Sequence, residues 1–428
     1  NDVNLQECSC MKILIISTVF PTNIDNGKKV VLNGLLQYLV RKFGRDSVYY
    51  LLIGSRLSDN DPPCQVRTLD TANFIGRISS VLINSVILRK KSLQESFIYS
   101  KKLEQDIFQQ IESIKPDIII ADTVRTGQFL YNNVHSAINK IIYLDDLFSV
   151  RYEKMLQTLR ENRGVMFNAL GNFSQFVPRI FRPLVNNRSL LTILLRYERN
   201  LIINSENKSV DYFNKCLLIS QSEKNILITR TGKQNVFELR PYLSFTTRKP
   251  RKYSGDRVFV FLGALNIPHN QVSIINFLKT QMNSIIKNDF KIKIIGKSAN
   301  KELIDISKKY SANIILEGYV EDLNEVFSTS CAMIVPLLFG SGVKLKTIEA
   351  LSQGLPVIST DFGVEGIAVT PNVNCIVENR IDKFPERMLQ LCDPKFNNKI
   401  STNAILFYEK TYSQQIVYSQ YEKIFADL

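Results

Sequence analysis

The chain has 428 residues, of which 45% are hydrophobic and 22% charged. That length exceeds one ordinary core and suits two domains, and the composition excludes a disordered or fibrous chain. The net charge of +14 is concentrated in residues 151–254, where 19 Lys/Arg face 7 Asp/Glu. Nucleic acid is not the expected partner, because no reading motif accompanies that charge; an anionic membrane surface stays open.

The seven cysteines, at 8, 10, 64, 216, 331, 375 and 392, form no CxxC pair, and only two histidines are present. A zinc site and a disulfide framework are therefore not expected, and a reducing cytoplasm fits. No apolar run reaches the roughly 18 residues of a spanning helix. Residues 1–10 are polar and acidic, unlike a secretory signal.

Lys12–Ser17 opens the chain's strands as a continuous apolar run, the pattern of a parallel strand covered on both faces. The loop Pro21–Lys29 follows, with Gly27 and Lys28 before a helical stretch to about Phe43. Further strands are predicted at Val48–Ile53, Asp117–Ala121, Lys140–Leu144 and Cys216–Ser220, with helical spacers between them. This alternation indicates a doubly wound α/β domain over 11–245. Asp145-Asp146 directly follows a strand. The pair could cap the next helix, orient an acceptor hydroxyl or act as a base, or ligate Mg²⁺.

A helical insertion is expected at about 150–205. Within it, Met166, Leu170, Phe173, Val177, Ile180 and Leu184 recur at helical spacing among Arg179, Arg182 and Arg188. That stripe either packs on the first domain or docks on anionic lipid.

Thr246-Thr-Arg-Lys-Pro-Arg-Lys252 breaks all periodicity and marks a linker. A second α/β domain is expected over 255–411, with strands at Arg257–Leu262, Lys291–Ile295, Asn313–Leu316, Ala332–Pro336, Pro356–Ser359 and Cys375–Val377. Residues 412–428 read as a closing helix with Ile416, Tyr421, Ile424 and Phe425 on its apolar side. In doubly wound sheets ligands bind outside the strands' carboxyl ends, so the loops there are the candidate sites.

The strongest of these is Phe339-Gly-Ser-Gly-Val-Lys-Leu-Lys-Thr-Ile-Glu349, a glycine loop running into a short helix. Gly340 and Gly342 let backbone amides approach a ligand, and the helix start favours an anion. Lys344 and Lys346 add charge, Lys346 also standing three residues from Glu349 as an ion-pair candidate. Phosphate with sugar hydroxyls is the ligand suited to this order of parts.

With Gly354-Leu-Pro-Val357 and Glu365-Gly366 behind it, this stretch resembles the nucleotide-sugar site of retaining GT-B glycosyltransferases, the E-x7-E or "group 1" superfamily. The resemblance implies two Rossmann-like parallel-sheet domains facing across a cleft, with the 412–428 helix returning to the first. It implies transfer of a sugar from a UDP-, GDP- or dTDP-sugar to a glycan or lipid-linked acceptor, with retention and with neither metal nor cofactor beyond the co-substrate. Bacterial surface polysaccharide or glycolipid synthesis is the expected setting, in the cytoplasm or on the inner face of the cell membrane.

By the same resemblance Glu349 grips the donor ribose, and Lys344 meets the charge of the departing diphosphate. Ser341, Val343 and Leu345 join the two glycines in lining the phosphates. Gly263, His269 and Asn270 lie near the diphosphate, while Gly318 and Val320 cup the base. Gly27, Lys28 and Asp145 stand on the acceptor side, and Asp145 and Asp146 are counted with Lys344 and Glu349 as catalytic. Ser341 occupies the place of the motif's first Glu. That departure keeps a catalytically silent binding partner of the same fold open, beside a sugar-nucleotide epimerase.

Overall fold

The computed structural model describes residues 11–426 except 23–26, 56, 58–60, 132–136, 162–186, 244–249 and 252. The apolar stripe of 165–185, Cys8 and Cys10 therefore lie outside the described residues. The chain divides into two compact units, the first built from residues 1–149, 197–243 and 417–428, the second from 150–196 and 244–416.

The first unit holds seven strands: β1 (Ile13–Ser17), β2 (Val48–Ile53), β3 (Gln65–Leu69), β4 (Ile118–Asp122), β5 (Asn139–Asp145), β6 (Lys215–Leu218) and β7 (Val236–Glu238). All pair in parallel, in the order β3-β2-β1-β4-β5-β6-β7. Every residue of β1 and β4 is buried, as their unbroken Ile/Leu runs require of strands covered on both faces. β3 and β7 are additions to the predicted set. β3 is an edge strand with exposed Gln65 and Thr68, and β7 is three residues long, so neither presents a continuous apolar run.

The second unit holds β8 (Val258–Leu262), β9 (Lys291–Ile295), β10 (Ile314–Gly318), β11 (Ala332–Val335), β12 (Val357–Ser359) and β13 (Ile376–Val377). These six are also parallel, in the order β10-β9-β8-β11-β12-β13. Phe259, Phe261, Phe277, Phe290, Ile294 and Phe384 are among the side chains that fill its core. Both sheets are doubly wound. The strand order reverses between β1 and β4 in the first and between β8 and β11 in the second, which is where such sheets bind ligands.

Two helical segments differ from expectation. The described parts of the expected insertion, 150–161 and 187–196, group with the second unit and not with the first, and their Leu156, Leu159, Leu191 and Leu195 pack on Phe339. Near the C-terminus the helix Pro394–Tyr412 is followed by a separate one, Gln414–Phe425. Its buried residues are Val417, Tyr421, Ile424 and Phe425, with Ile416 at 36% exposure on the outer side. Tyr418, Tyr421 and Phe425 gather round Tyr38 of the helix Gly27–Phe43, and the Tyr421 hydroxyl donates to the Arg240 carbonyl at 2.7 Å. Among the described residues no helix is long and apolar enough to cross a membrane.

Candidate functional site

The second sheet's switch point is bounded by the loops leaving β8 and β11. After β8, Gly263 sits so close to Asn270 that a Cβ would meet its side-chain amide at 2.8 Å. Only glycine admits that approach. Asn270, buried in the first turns of the helix Pro268–Lys287, donates through Nδ2 to the Ala264 carbonyl at 3.0 Å. Its Oδ1 accepts from Lys346 Nζ at 2.9 Å. One amide thus ties the two loops together.

The loop after β11 enters through buried Leu337 and Phe339, then turns at Gly340 (φ 145°) and Gly342 (φ 76°), backbone angles that disfavour any side chain. Lys344 closes the loop on itself: its Nζ donates to the carbonyls of Ser341 and Gly342, each at 2.7 Å. With 7% exposure, it is a buried cation held against the loop it stabilises. The helix Leu345–Ser352 begins next, with no side-chain cap and no acidic residue in its first turn. Its positive end is left for an anion. Ile348 and Leu351 are fully buried on its inner side, while Leu345 is half-buried.

Charge accumulates here without a matching carboxylate on Lys346. That lysine rests 4.9 Å above the Phe261 ring, and burial, then Lys344, lowers its pKa to about 7. The ion pair with Glu349 allowed by spacing is not formed; Lys346 takes Asn270 and the ring instead. His269 lies beside Gly340 and is held neutral. Burial, then Lys344, Lys346 and Arg151, keeps its pKa well below the usual imidazole value. A further turn along the helix, the Glu349 carboxyl makes no hydrogen bond or ion pair among the described residues, and burial raises its pKa to about 7. Three basic side chains, a neutral imidazole and a carboxyl without a hydrogen-bond partner among the described residues stand around one loop.

Of the other predicted donor residues, Gly318 ends β10 in a left-handed turn, its carbonyl accepting from the Gly296 amide at 2.7 Å. Val320 follows it, half-buried. The neighbouring Tyr319 ring is 64% exposed, with Lys297 Nζ 4.1 Å from its centroid. Glu365 is paired through Oε1 with Lys154, and its Oε2 is buried without a hydrogen-bond partner.

The first unit carries its own polar cluster at the β1/β4 switch. Lys28, in the first turn of the helix after Gly27, pairs with Asp122 at 2.8 Å, and Ser17 Oγ donates to the same carboxylate at 2.6 Å. Thr123 beyond it has φ 65°, and Asp145 at the end of β5 has φ 70°, both strained for residues with a Cβ. Asp145 accepts from the Tyr143 hydroxyl at 2.7 Å, and Asp146 is buried. Capping of the helix Phe148–Glu161 is shared by distant glutamates. Glu223 accepts from the Leu147 amide and Glu206 from the Ser149 amide, each at 3.0 Å.

Sequence reasoning passed over Asp122, Arg151 and Lys154. Asp122 had a signal, since it is the first polar residue after the apolar run of β4. Arg151 and Lys154 had none, being two basic residues of an ordinary helix.

Residues 256–393 match the family model "Glycosyl transferases group 1". The matched stretch runs from just before β8 to the end of the helix after β13, and so takes in the whole second sheet. A Klebsiella pneumoniae relative, "Uncharacterized 44.6 kDa protein in cps region", is 28% identical over 169 residues, or 37% of this chain. The match spans 44% of that relative's length, less than half of it. Sucrose-phosphate synthase from Thermosynechococcus elongatus superposes with a TM-score of 0.65 at 13% identity, covering 98% of this chain and 100% of that one. Anabaena Alr3699/HepE in complex with UDP-glucose gives 0.63 at 12%, covering 98% and 100%. At such identities what is shared is the fold: GT-B, two parallel-sheet α/β domains.

Proposed function

We propose that this chain is a group 1 glycosyltransferase that moves a sugar from a nucleotide-sugar donor to a glycan or lipid-linked acceptor, with retention and without a metal. The carrying observation is the convergence of Lys344, Lys346 and Arg151 on neutral His269 at an uncapped helix start, one turn from a carboxyl that lacks a partner. A nucleoside diphosphate supplies what this arrangement lacks: phosphate charge for the cations and ribose hydroxyls for Glu349.

In the reaction the acceptor hydroxyl oxygen bonds to the anomeric carbon, the bond to the diphosphate oxygen breaks with its electron pair leaving on the diphosphate, and the hydroxyl proton passes to the departing diphosphate oxygen. Lys344 and the helix start meet that growing charge. The group 1 match and the UDP-glucose complex of the Anabaena neighbour support a nucleotide-sugar donor. The cps-region relative supports a role in surface polysaccharide or glycolipid synthesis, and the cytoplasmic face of a membrane is the proposed place of that role. Asp145, with Gly27 and Lys28, is the proposed acceptor side.

The test is a thermal-shift screen against UDP, GDP, dTDP and CMP with their sugars, followed by transfer assays on the responding donor. Lys344→Ala and Glu349→Ala should lower kcat by about 10²–10³, as for loss of one preorganised charge contact, in proteins that stay folded. Wild-type rates in both variants would remove the site assignment. Because Ser341 replaces the motif glutamate, a silent binding partner is the second reading; donor binding with no turnover on any acceptor would favour it.

A further inference from the structure

We propose that the helical segment 74–90 of the first unit is a docking face for an anionic lipid bilayer. The helix Phe74–Ser80 runs on into the wider turns of Val81–Ile87, where the Leu88 amide donates to the Ile83 carbonyl five residues back at 2.9 Å. Its sidedness is the reverse of an ordinary surface helix. Ser80 and Ser85 face inward, and Ser85 Oγ donates to the Ser92 carbonyl at 3.1 Å and lies 2.7 Å from Ser96 Oγ, from which it can accept. Tyr197 donates to the Ser85 carbonyl from the neighbouring helix. These bonds fix the polar side in the interior.

The outward side is apolar. Ile75, Leu82, Ile83, Val86 and Ile87 are 74%, 51%, 50%, 48% and 72% exposed, at helical spacing along one face. Contiguous exposed apolar area of this kind marks a binding surface. Its charge selects the occupant. Residues 71–94 contain four basic and no acidic residues, and the exposed Arg89 and Lys90 stand at the end of the apolar face. An apolar stripe bordered by cations is the arrangement that enters a bilayer interface carrying anionic headgroups. The face deepens the membrane part of the proposed function and rests on that reading, yet it uses none of the donor-site residues.

The experiment is co-sedimentation with vesicles of phosphatidylglycerol and phosphatidylcholine in equal parts, against vesicles of phosphatidylcholine alone. The unaltered chain should sediment with the first and not the second. Arg89→Gln/Lys90→Gln should weaken that partition by about fivefold per charge removed, and Ile75→Ser/Ile87→Ser should abolish it. Both variants change exposed side chains only and should keep the nucleotide-induced thermal shift. Undiminished sedimentation of either variant would place the lipid contact elsewhere and overturn this face while leaving the membrane reading intact. An unaltered chain that stays in the supernatant, or a dimer in light scattering that Ile75→Ser/Ile87→Ser converts to monomer, would also overturn it. Failure of transfer with vesicle binding intact would count against the catalytic reading alone.

Discussion

Lys346 and Glu349 are placed by burial at the same pKa, about 7, from opposite directions. A diphosphate beside Lys346 favours its charged form, so binding takes up a proton there. Ribose hydroxyls donating to Glu349 favour its ionised form, so binding releases one. Near pH 7 the two should largely cancel. Calorimetry in buffers of different ionisation enthalpy should show net uptake for Glu349→Gln and net release for Lys346→Met; identical proton counts in all three proteins would refute the pairing. Linkage gives a second expectation. Because the folded carboxyl is raised above its unfolded value, its stabilising contribution is complete below the unfolded pKa and lost as pH rises through about 7. Glu349→Gln should therefore melt higher than the unaltered chain at pH 8 and no higher at pH 4.

At the level of elements, strands with unbroken apolar runs were readable directly, since a strand buried on both faces has no choice of residue type. β3 was not, because this edge strand has no fully buried position and its exposed Gln65 and Thr68 break any apolar run. The loop entering the Leu345–Ser352 helix was legible because its chemistry is local: glycines, lysines and Glu349 lie within ten residues. The pairs Lys28–Asp122 and Lys154–Glu365 were hidden, because each joins residues far apart in sequence through strand order. The Gln414–Phe425 helix shows the limit of periodicity. Ile416 and Val417 are both apolar and adjacent, and packing on Tyr38 selects Val417. Tyr421→Ala should cost about 3–5 kcal/mol, as for other buried aromatics, whereas Ile416→Ala should fall within about 0.5 kcal/mol as a surface change. Urea midpoints at constant m-value would separate them.

Over the whole molecule, every residue assigned to the donor belongs to the second unit, while the Ser17–Lys28–Asp122 cluster belongs to the first. A saturating nucleoside diphosphate should slow amide exchange at 263–270 and 340–349 by stabilising that unit through mass action. Equal slowing around Ser17 and Asp122 would show that the nucleotide is shared between units.

The chain leaves the first unit at residue 149, returns for 197–243, and comes back at 417 only after the rest of the second unit is laid down. During synthesis the second sheet can therefore close while the first still lacks Val417, Tyr421 and Phe425. Until those residues emerge, Tyr38 and the inner side of the Gly27–Phe43 helix stay open to water and to other chains. Domains form as units on the ribosome, so here the second unit matures before the unit whose strands precede it in the chain.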